Sequence, residues 1–297
     1  MDLDLAQLRA LQAAVAEGTL EAAARALHVT PSAVSQRLKA LETATGRVLL
    51  VRSKPVQVTA SGEAVLRLAR QVDLLTADAV RELGDAAAEF GEIRPVTLPI
   101  AVNADSLAWV LPALAPLAGS CVFDLHREDQ QHTSKLLRRG TVMAAVTAHA
   151  EPVPGCSSTR LGGMRYRPMA TSAFVARWFR DGVTPAALAG APVVVYDRDD
   201  DLQHGWLRER AGPEVGPPQH FVPSSADYVT AVRLGMGWGM VPDLQRTPAD
   251  ERRLVELDPD GAVDVVLYWQ QWRLRSPSLD RVAGALLAAA RDRLDQG

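Results

Sequence analysis

Apolar residues in the first ninety positions recur at spacings of three and four, and so predict helices. Val34, Leu38 and Leu41 share one face of segment 30–42, and Ser32, Ser35, Gln36 and Lys39 share the other. Thr30 precedes that segment as an N-cap, and Pro31 takes the first helical position. The alanine-rich stretch Thr19 to Leu27 predicts a shorter helix opened by its own threonine, with His28 and Val29 as the turn between the two. Two helices joined so tightly predict a helix-turn-helix, whose second helix enters the major groove of DNA. The apolar run Val48 to Val51, followed by Arg52-Ser53-Lys54-Pro55, predicts a short β-wing beside it.

From Thr59 to Phe90 a longer helix is predicted, ~45 Å at about 1.5 Å per residue. Val65, Leu68, Val72, Leu75, Ala79, Leu83, Ala86 and Phe90 form a near-heptad seam along it. Such a seam is unfavourable in water, so an antiparallel second copy is expected to cover it, giving a homodimer. Burial against the chain's own domain is the other way to cover it.

Beyond Gly91-Glu92-Ile93-Arg94-Pro95 the period changes. Strand-like runs at 96–102, 122–126, 142–147, 193–196 and 263–269 alternate with helical runs at 106–118, 134–139, 228–234 and 278–294. That alternation predicts an α/β domain with a mainly parallel sheet, which binds ligands at the carboxyl ends of its strands. Pro99 falls inside the first strand, where proline costs a ladder hydrogen bond and suggests an edge or a bulge. Gly235-Met-Gly237-Trp-Gly239 lacks the spacing of a dinucleotide loop and reads as a close-packed turn entering a strand at 240–242.

Charge sharpens the first assignment. Residues 30–55 carry Arg37, Lys39, Arg47, Arg52 and Lys54 against Glu42 alone, although the 297-residue chain has a net charge of −3. Positive charge placed locally on a mildly acidic chain suits phosphate contact. Thr30, Ser32, Ser35, Gln36, Lys39, Arg52 and Lys54 are therefore the candidate DNA-binding residues, with double-stranded operator DNA as the partner. An ordinary helical packing unit with a solvated basic edge is the plainer reading.

Composition excludes several classes. There is no apolar run of about 18 residues for a membrane span, no basic start of a secretory signal, and only Cys121 and Cys156 as thiols. A cytoplasmic setting is expected. The six histidines lack metal-ligand spacing, and no nucleophile–base pair or cofactor loop stands out, so neither enzyme activity nor a cofactor is expected.

Candidate ligand-binding residues lie where predicted strands meet helices. Asn103, Asp105 and Ser106 follow the first strand, Asp129 the second and Thr147 the third, while Asp199, Asp200, Ser224 and Ser225 precede later helices. Hydroxyl and amide groups at helix starts suit a carboxylate, and clustered acids suit a cation. Together they describe a receptor for an amino acid with a basic side chain. Asn103, Asp200 and Ser225 read equally well as N-caps.

The order of helix-turn-helix, wing and long linker helix resembles the LysR-type transcriptional regulators over essentially the whole chain. Ala101-Val-Asn-Ala-Asp-Ser-Leu107, Leu111-Pro-Ala-Leu-Ala-Pro116, Glu128-Asp129, Leu137-Arg-Arg-Gly140 and Leu267-Tyr-Trp269 resemble the ArgP/LysG branch, which senses lysine or arginine and controls basic amino-acid export. The resemblance implies a winged helix-turn-helix at 1–58, a linker and dimerisation helix at 59–91, and an effector domain at 92–297. That effector domain is expected to be two-lobed and periplasmic-binding-protein-like, with lobe I near 92–164 and 268–297 and lobe II near 165–267. It also implies homodimers that pair into homotetramers, with RNA polymerase as a further partner. Asn103, Asp105, Ser106, Thr147, Ser224 and Ser225 would then hold the effector's α-groups. Asp129 would hold its cationic end, with Asp199 or Asp200 in reserve. Thr30-Pro31-Ser32 departs from the Ser-Gln-Pro or Ser-Gln-Ser common at the start of the family's recognition helix, so operator preference does not carry over. An architectural DNA-binding protein without effector control is the alternative class.

Overall fold

The computed structural model describes residues 3–51, 53–83, 95–127 and 130–297, and side chains for all of these except 130–132. Arg52, Asp129 and the seam positions Ala86 and Phe90 lie outside the described residues.

The chain opens with α1 (Leu5–Glu17), α2 (Leu20–Ala26) and α3 (Pro31–Thr45). Thr19 and Thr30 cap the second and third helices, their hydroxyls accepting from Ala22 N at 3.1 Å and Ala33 N at 3.2 Å. Gly46, at φ +63°, ends α3 in the left-handed conformation that costs glycine least. A two-stranded wing follows, β1 (Leu50–Val51) antiparallel to β2 (Gln57–Val58). Then comes α4 (Ala60–Glu82), capped by Thr59. Leu8, Leu11, Ala14, Ala24, Val34, Leu38, Leu41, Leu49 and Leu66 close a common core from all four helices and the wing. The apolar stripe of α3 points inward, as its spacing predicts.

Two faces of α4 behave differently. Leu66, Ala69, Leu74 and Asp78 are buried against the chain's own residues, whereas Leu68, Leu75 and Leu83 of the predicted seam are exposed by 38, 39 and 66%. One face of α4 is thus covered by the chain itself, and on the seam Val65 packs against the core while Leu68, Leu75 and Leu83 stay exposed.

The remainder runs β3 (Val96–Val102), α5 (Leu107–Leu114), β4 (Cys121–Arg127), α6 (Gln130–Arg139), β5 (Ala144–Thr147) and the long β6 (Cys156–Thr171). It continues α7 (Ser172–Trp178), α8 (Pro185–Gly190), β7 (Val193–Val195), α9 (Leu202–Ala211), β8 (Gln219–Phe221) and α10 (Ser225–Arg233). It ends β9 (Gly239–Pro242), β10 (Leu254–Glu256), β11 (Val263–Trp272) and α11 (Pro277–Arg293). Two compact units result. The first holds Met1–Val102, Leu114–Ser158 and Trp269–Gly284; the second holds Asn103–Ala113, Thr159–Tyr268 and Ala285–Gly297.

In the first unit β3 lies between β4 and β5, parallel to both, which explains its nearly unbroken apolar run. Pro99 therefore sits in an interior strand, with no edge or bulge. Its carbonyl accepts from Met143 N at 2.8 Å, on the side of β5, whose ladder starts only at Ile100–Ala144. The missing N–H thus faces the loop before β5 and costs no strand pairing.

In the second unit β6 pairs antiparallel with β9 and β10, and β7 pairs parallel with β8. Met169, Val194, Tyr228, Val229, Val232, Val241 and Leu254 form its core. A Cβ on Gly237 would stand 2.8 Å from the carbonyl of Pro192, so the glycine-rich segment is packed backbone against backbone.

One ion pair in this unit carries a pH prediction. Arg233 grips Asp250 with two nitrogens at 2.8 and 2.7 Å, and Thr247 donates N–H and O–H to the same carboxylate. The Arg233 contact holds the Asp250 carboxyl far below the usual range. Its contribution is complete above the unfolded value of about 3.9 and is lost as pH falls through the lowered folded value. Asp250→Asn is expected to cost ~2–3 kcal/mol at neutral pH, below the 3–5 of fully buried pairs because Arg233 keeps some water. Urea unfolding at stepped pH should show variant and native chain converging below about pH 4; a constant gap would show that the carboxylate's charge is irrelevant.

Candidate DNA-reading head and effector site

At the cap of α3 Thr30 is exposed, and along the helix Ser32, Gln36 and Lys39 are exposed and Ser35 is half-buried. Lys54 is exposed on the wing. Burial of Val34, Leu38 and Leu41 fixes the helix's rotation, so the polar row faces outward. The lone acid, Glu42, is not part of that surface chemistry: its Oε1 accepts from Leu49 N at 2.9 Å and Leu50 N at 3.5 Å. It ties the recognition helix to the start of the wing, a role invisible in the local pattern because its partners have no distinctive side chain.

In the second unit the turn Ala104–Ser106 leads into α5. Asp105 Oδ2 accepts from the Tyr166 hydroxyl at 2.8 Å, and Oδ1 accepts from the Ser225 hydroxyl and from Gln245 Nε2 at 3.2 Å. Gln245 Nε2 also donates to Ser225 Oγ at 2.6 Å. Burial, then the charge of Asp105, pushes the Tyr166 phenol well above its ordinary pKa, so it remains a neutral donor. Beside Asp105 in the chain, Asn103 is 8% exposed and Ser106 fully buried, yet Asn103 Oδ1 and Ser106 Oγ have no protein partner among the described residues. Buried polar atoms are normally satisfied, so two orphans at one helix start mark a place built to receive something polar.

Asp105 and Ser225 are thus brought together, and Tyr166 and Gln245 join them without any sequence signal. Asp200 spends its oxygens on its own turn, accepting from Leu202 N at 3.1 Å and Tyr196 N at 3.3 Å. Burial raises its carboxyl pKa, and the charge of Asp105 adds to the rise. Asp199 is exposed in the same turn, and Ser224 stands at the start of α10 without a side-chain cap bond. Thr147 belongs to the first unit, buried, its Oγ1 accepting from His149 N at 3.2 Å. Among the described residues no group of three or more His, Cys, Asp or Glu could hold a metal ion, and no helix is long and apolar enough to cross a membrane.

A DNA-reading head joined to a two-lobed α/β receptor domain is the architecture of a ligand-responsive transcriptional regulator. Residues 5–63 match the bacterial regulatory helix-turn-helix of the LysR family, and residues 91–291 match the LysR substrate-binding domain. The chain belongs to the LysR family of transcriptional regulators. It is 45% identical to the transcriptional regulator LysG of Mycobacterium tuberculosis over 97% of this chain and 94% of that one. It is 39% identical to the lysine export transcriptional regulatory protein LysG of Corynebacterium glutamicum over 96% and 97% of the two chains. Among solved structures, ArgP from Mycobacterium tuberculosis superposes with a TM-score of 0.86 at 42% identity, covering all of both chains. Full-length LysG of Corynebacterium glutamicum with bound effector Arg gives 0.75 at 38% identity, covering 98% and 99%. These relatives are regulators, and nothing in them favours an architectural protein without effector control.

Proposed function

We propose that this regulator binds lysine or arginine and so controls a gene for basic amino-acid export. The buried, unpartnered Asn103 Oδ1 and Ser106 Oγ beside Asp105 carry the reading. They supply polar atoms for an amino acid's α-groups, and Asp105 supplies a negative charge for its ammonium. Ser224, Ser225 and Thr147 complete the polar set, and Asp129 takes the cationic side chain, with Asp199 or Asp200 in reserve. The Arg held by the Corynebacterium relative supports the ligand class. In this reading residues 1–58 read DNA, 59–91 form the linker and 92–297 the effector domain, in a cytoplasmic protein without catalytic activity. The exposed Leu68, Leu75 and Leu83 seam pairs two copies, the dimers pair into a tetramer, and the promoter-bound assembly meets RNA polymerase.

Calorimetric titration with lysine, arginine and uncharged norleucine tests the ligand. Saturable binding of the basic amino acids alone is expected, and silence for all three would overturn the effector assignment. On DNA, Thr30, Ser32, Ser35, Gln36, Lys39, Arg52 and Lys54 form the contact surface. Gln36→Ala should lose about 1–3 kcal/mol of discrimination between operator and mutated operator. Lys39→Ala should weaken all sequences alike and flatten the salt slope by about one. Binding titrations at stepped salt separate the two, and full discrimination by Gln36→Ala would mean the helix presents a different row.

A further inference from the structure

Within the first unit, the linker helix is clasped to later parts of the chain by polar groups at two places. Near its start, Arg70 donates to the carbonyl of Gly140 at the end of α6, and Arg139 pairs with Glu63 at 3.2 Å. A Cβ on Gly140 would come within 2.8 Å of Arg67 Cβ, so helix and turn are in direct contact.

Near its end the contact is of another kind. Asp78 is 5% exposed, and its carboxylate accepts from Ser276 Oγ, Ser278 Oγ and, at 2.9 Å, Arg81 Nη1. Arg81 also donates to Ser278 Oγ at 2.8 Å and to the Ser120 carbonyl at 3.3 Å. Ser276 Oγ accepts from Leu279 N at 3.2 Å, so the serine that holds Asp78 also caps α11. Ser276 and Ser278 are both fully buried.

Stability alone does not account for a carboxylate in such a place. Desolvating it is costly, and an apolar contact of similar volume stabilises as well or better. What the arrangement adds is a single geometry: three donors must converge on one carboxylate, and a displaced helix would leave that charge buried without them.

Its attachment points are also placed to report. The chain passes from second unit to first between Ala113 and Leu114, and again between Tyr268 and Trp269. Ser120 follows the first crossing and Ser276 the second, each within one short stretch of chain. We infer that Asp78, with Ser276, Ser278 and Arg81, is a latch that sets where the linker helix, and with it the DNA-reading head, is held on the effector domain. Asp78 is then a positioning residue for operator recognition, acting through α4 and touching neither DNA nor effector. The latch rests on the reading of the chain as an effector-controlled regulator, but its first test needs no effector.

The test uses the full-length chain and a DNA fragment selected by the native protein from a random-sequence pool. Asp78→Asn keeps the shape but points an amide nitrogen at donors. The single variant Ser278→Ala removes one donor, leaves Asp78 paired with Ser276 and Arg81 and leaves the α11 cap in place, so it is the milder second variant. With no amino acid added, either folded variant should change the footprint length and the bend of the fragment. Affinity for an isolated half-site should stay at the native level. Hydrogen exchange at the amides of 79–83 should quicken about tenfold or more, the mark of a locally released helix end. A folded variant with native footprint, bend and exchange would overturn the latch. Adding arginine then separates the two readings. If arginine binds neither native nor variant chain, the effector assignment fails, and the latch is judged by the footprint and exchange alone.

Discussion

Asp105→Ala should lower affinity for arginine and lysine by about 100-fold or more, the largest effect of any single change to the proposed effector site. Removing one partner of a desolvated charged hydrogen bond costs ~2–5 kcal/mol, and about 1.4 kcal/mol is a factor of ten in affinity. Asp105 is the acid at the start of α5 whose neighbours, Asn103 and Ser106, keep unpartnered buried atoms. The substitution also strips the Tyr166 and Ser225 hydroxyls and the Gln245 amide of a shared acceptor. Some stability must go with it, about 1–3 kcal/mol for a buried donor left unmade. Thermal unfolding gauges that cost, and calorimetry at a temperature where the variant is fully folded reads the binding. Operator affinity should be unchanged, because the reading head belongs to other residues of the chain. Native-strength arginine binding by folded Asp105→Ala would remove this carboxylate from the site.

Gly62→Ala should destabilise the DNA-reading head by ~3 kcal/mol or more, at the upper end of overpacking effects. A Cβ there would sit 2.0 Å from the Leu49 carbonyl oxygen and 2.7 Å from Val58 Cγ1. The wing cannot easily retreat. Thr59 ties it to the helix start, donating its hydroxyl to the Val48 carbonyl at 2.7 Å and its N–H to Leu49 O at 3.0 Å, while capping α4 by accepting from Gly62 N at 3.0 Å. Alanine is the better helix former, so propensity alone would predict stabilisation; contact with a fixed backbone oxygen outweighs it. For a unit of this size the melting point should fall by roughly 10 °C or more, and operator binding should weaken with it. A variant that melts like the native chain would mean that α4 can start further from the wing.

These two sites differ in how far the sequence could reveal them. Thr19 and Thr30 were legible as caps because a cap and the amide it serves lie within three residues of each other. The inward stripe of α3 and the strands at 96–102 and 121–127 were legible for the same reason: periodicity is local. The sixteen-residue β6 was not, because its burial does not alternate cleanly along its length. On α4 the apolar seam was visible, but the face that packs against the chain itself includes an acid, Asp78, which pattern reading assigns to solvent. Asp200 shows the opposite case, a carboxylate whose local bonds, accepting from the Tyr196 and Leu202 amides, lie within its own turn.

By itself, then, the sequence determined the reading head, the class of domain behind it and the junctions where polar groups gather, since helix period, strand run, cap and local charge act between near neighbours. Tertiary structure alone decided which of those groups meet. Tyr166 and Gln245 stand 61 and 140 positions from Asp105, and Ser276 and Ser278 stand 198 and 200 from Asp78. Such partners leave no periodic trace, because a hydrogen bond between distant residues depends on how the chain closes and on nothing in the residues beside them.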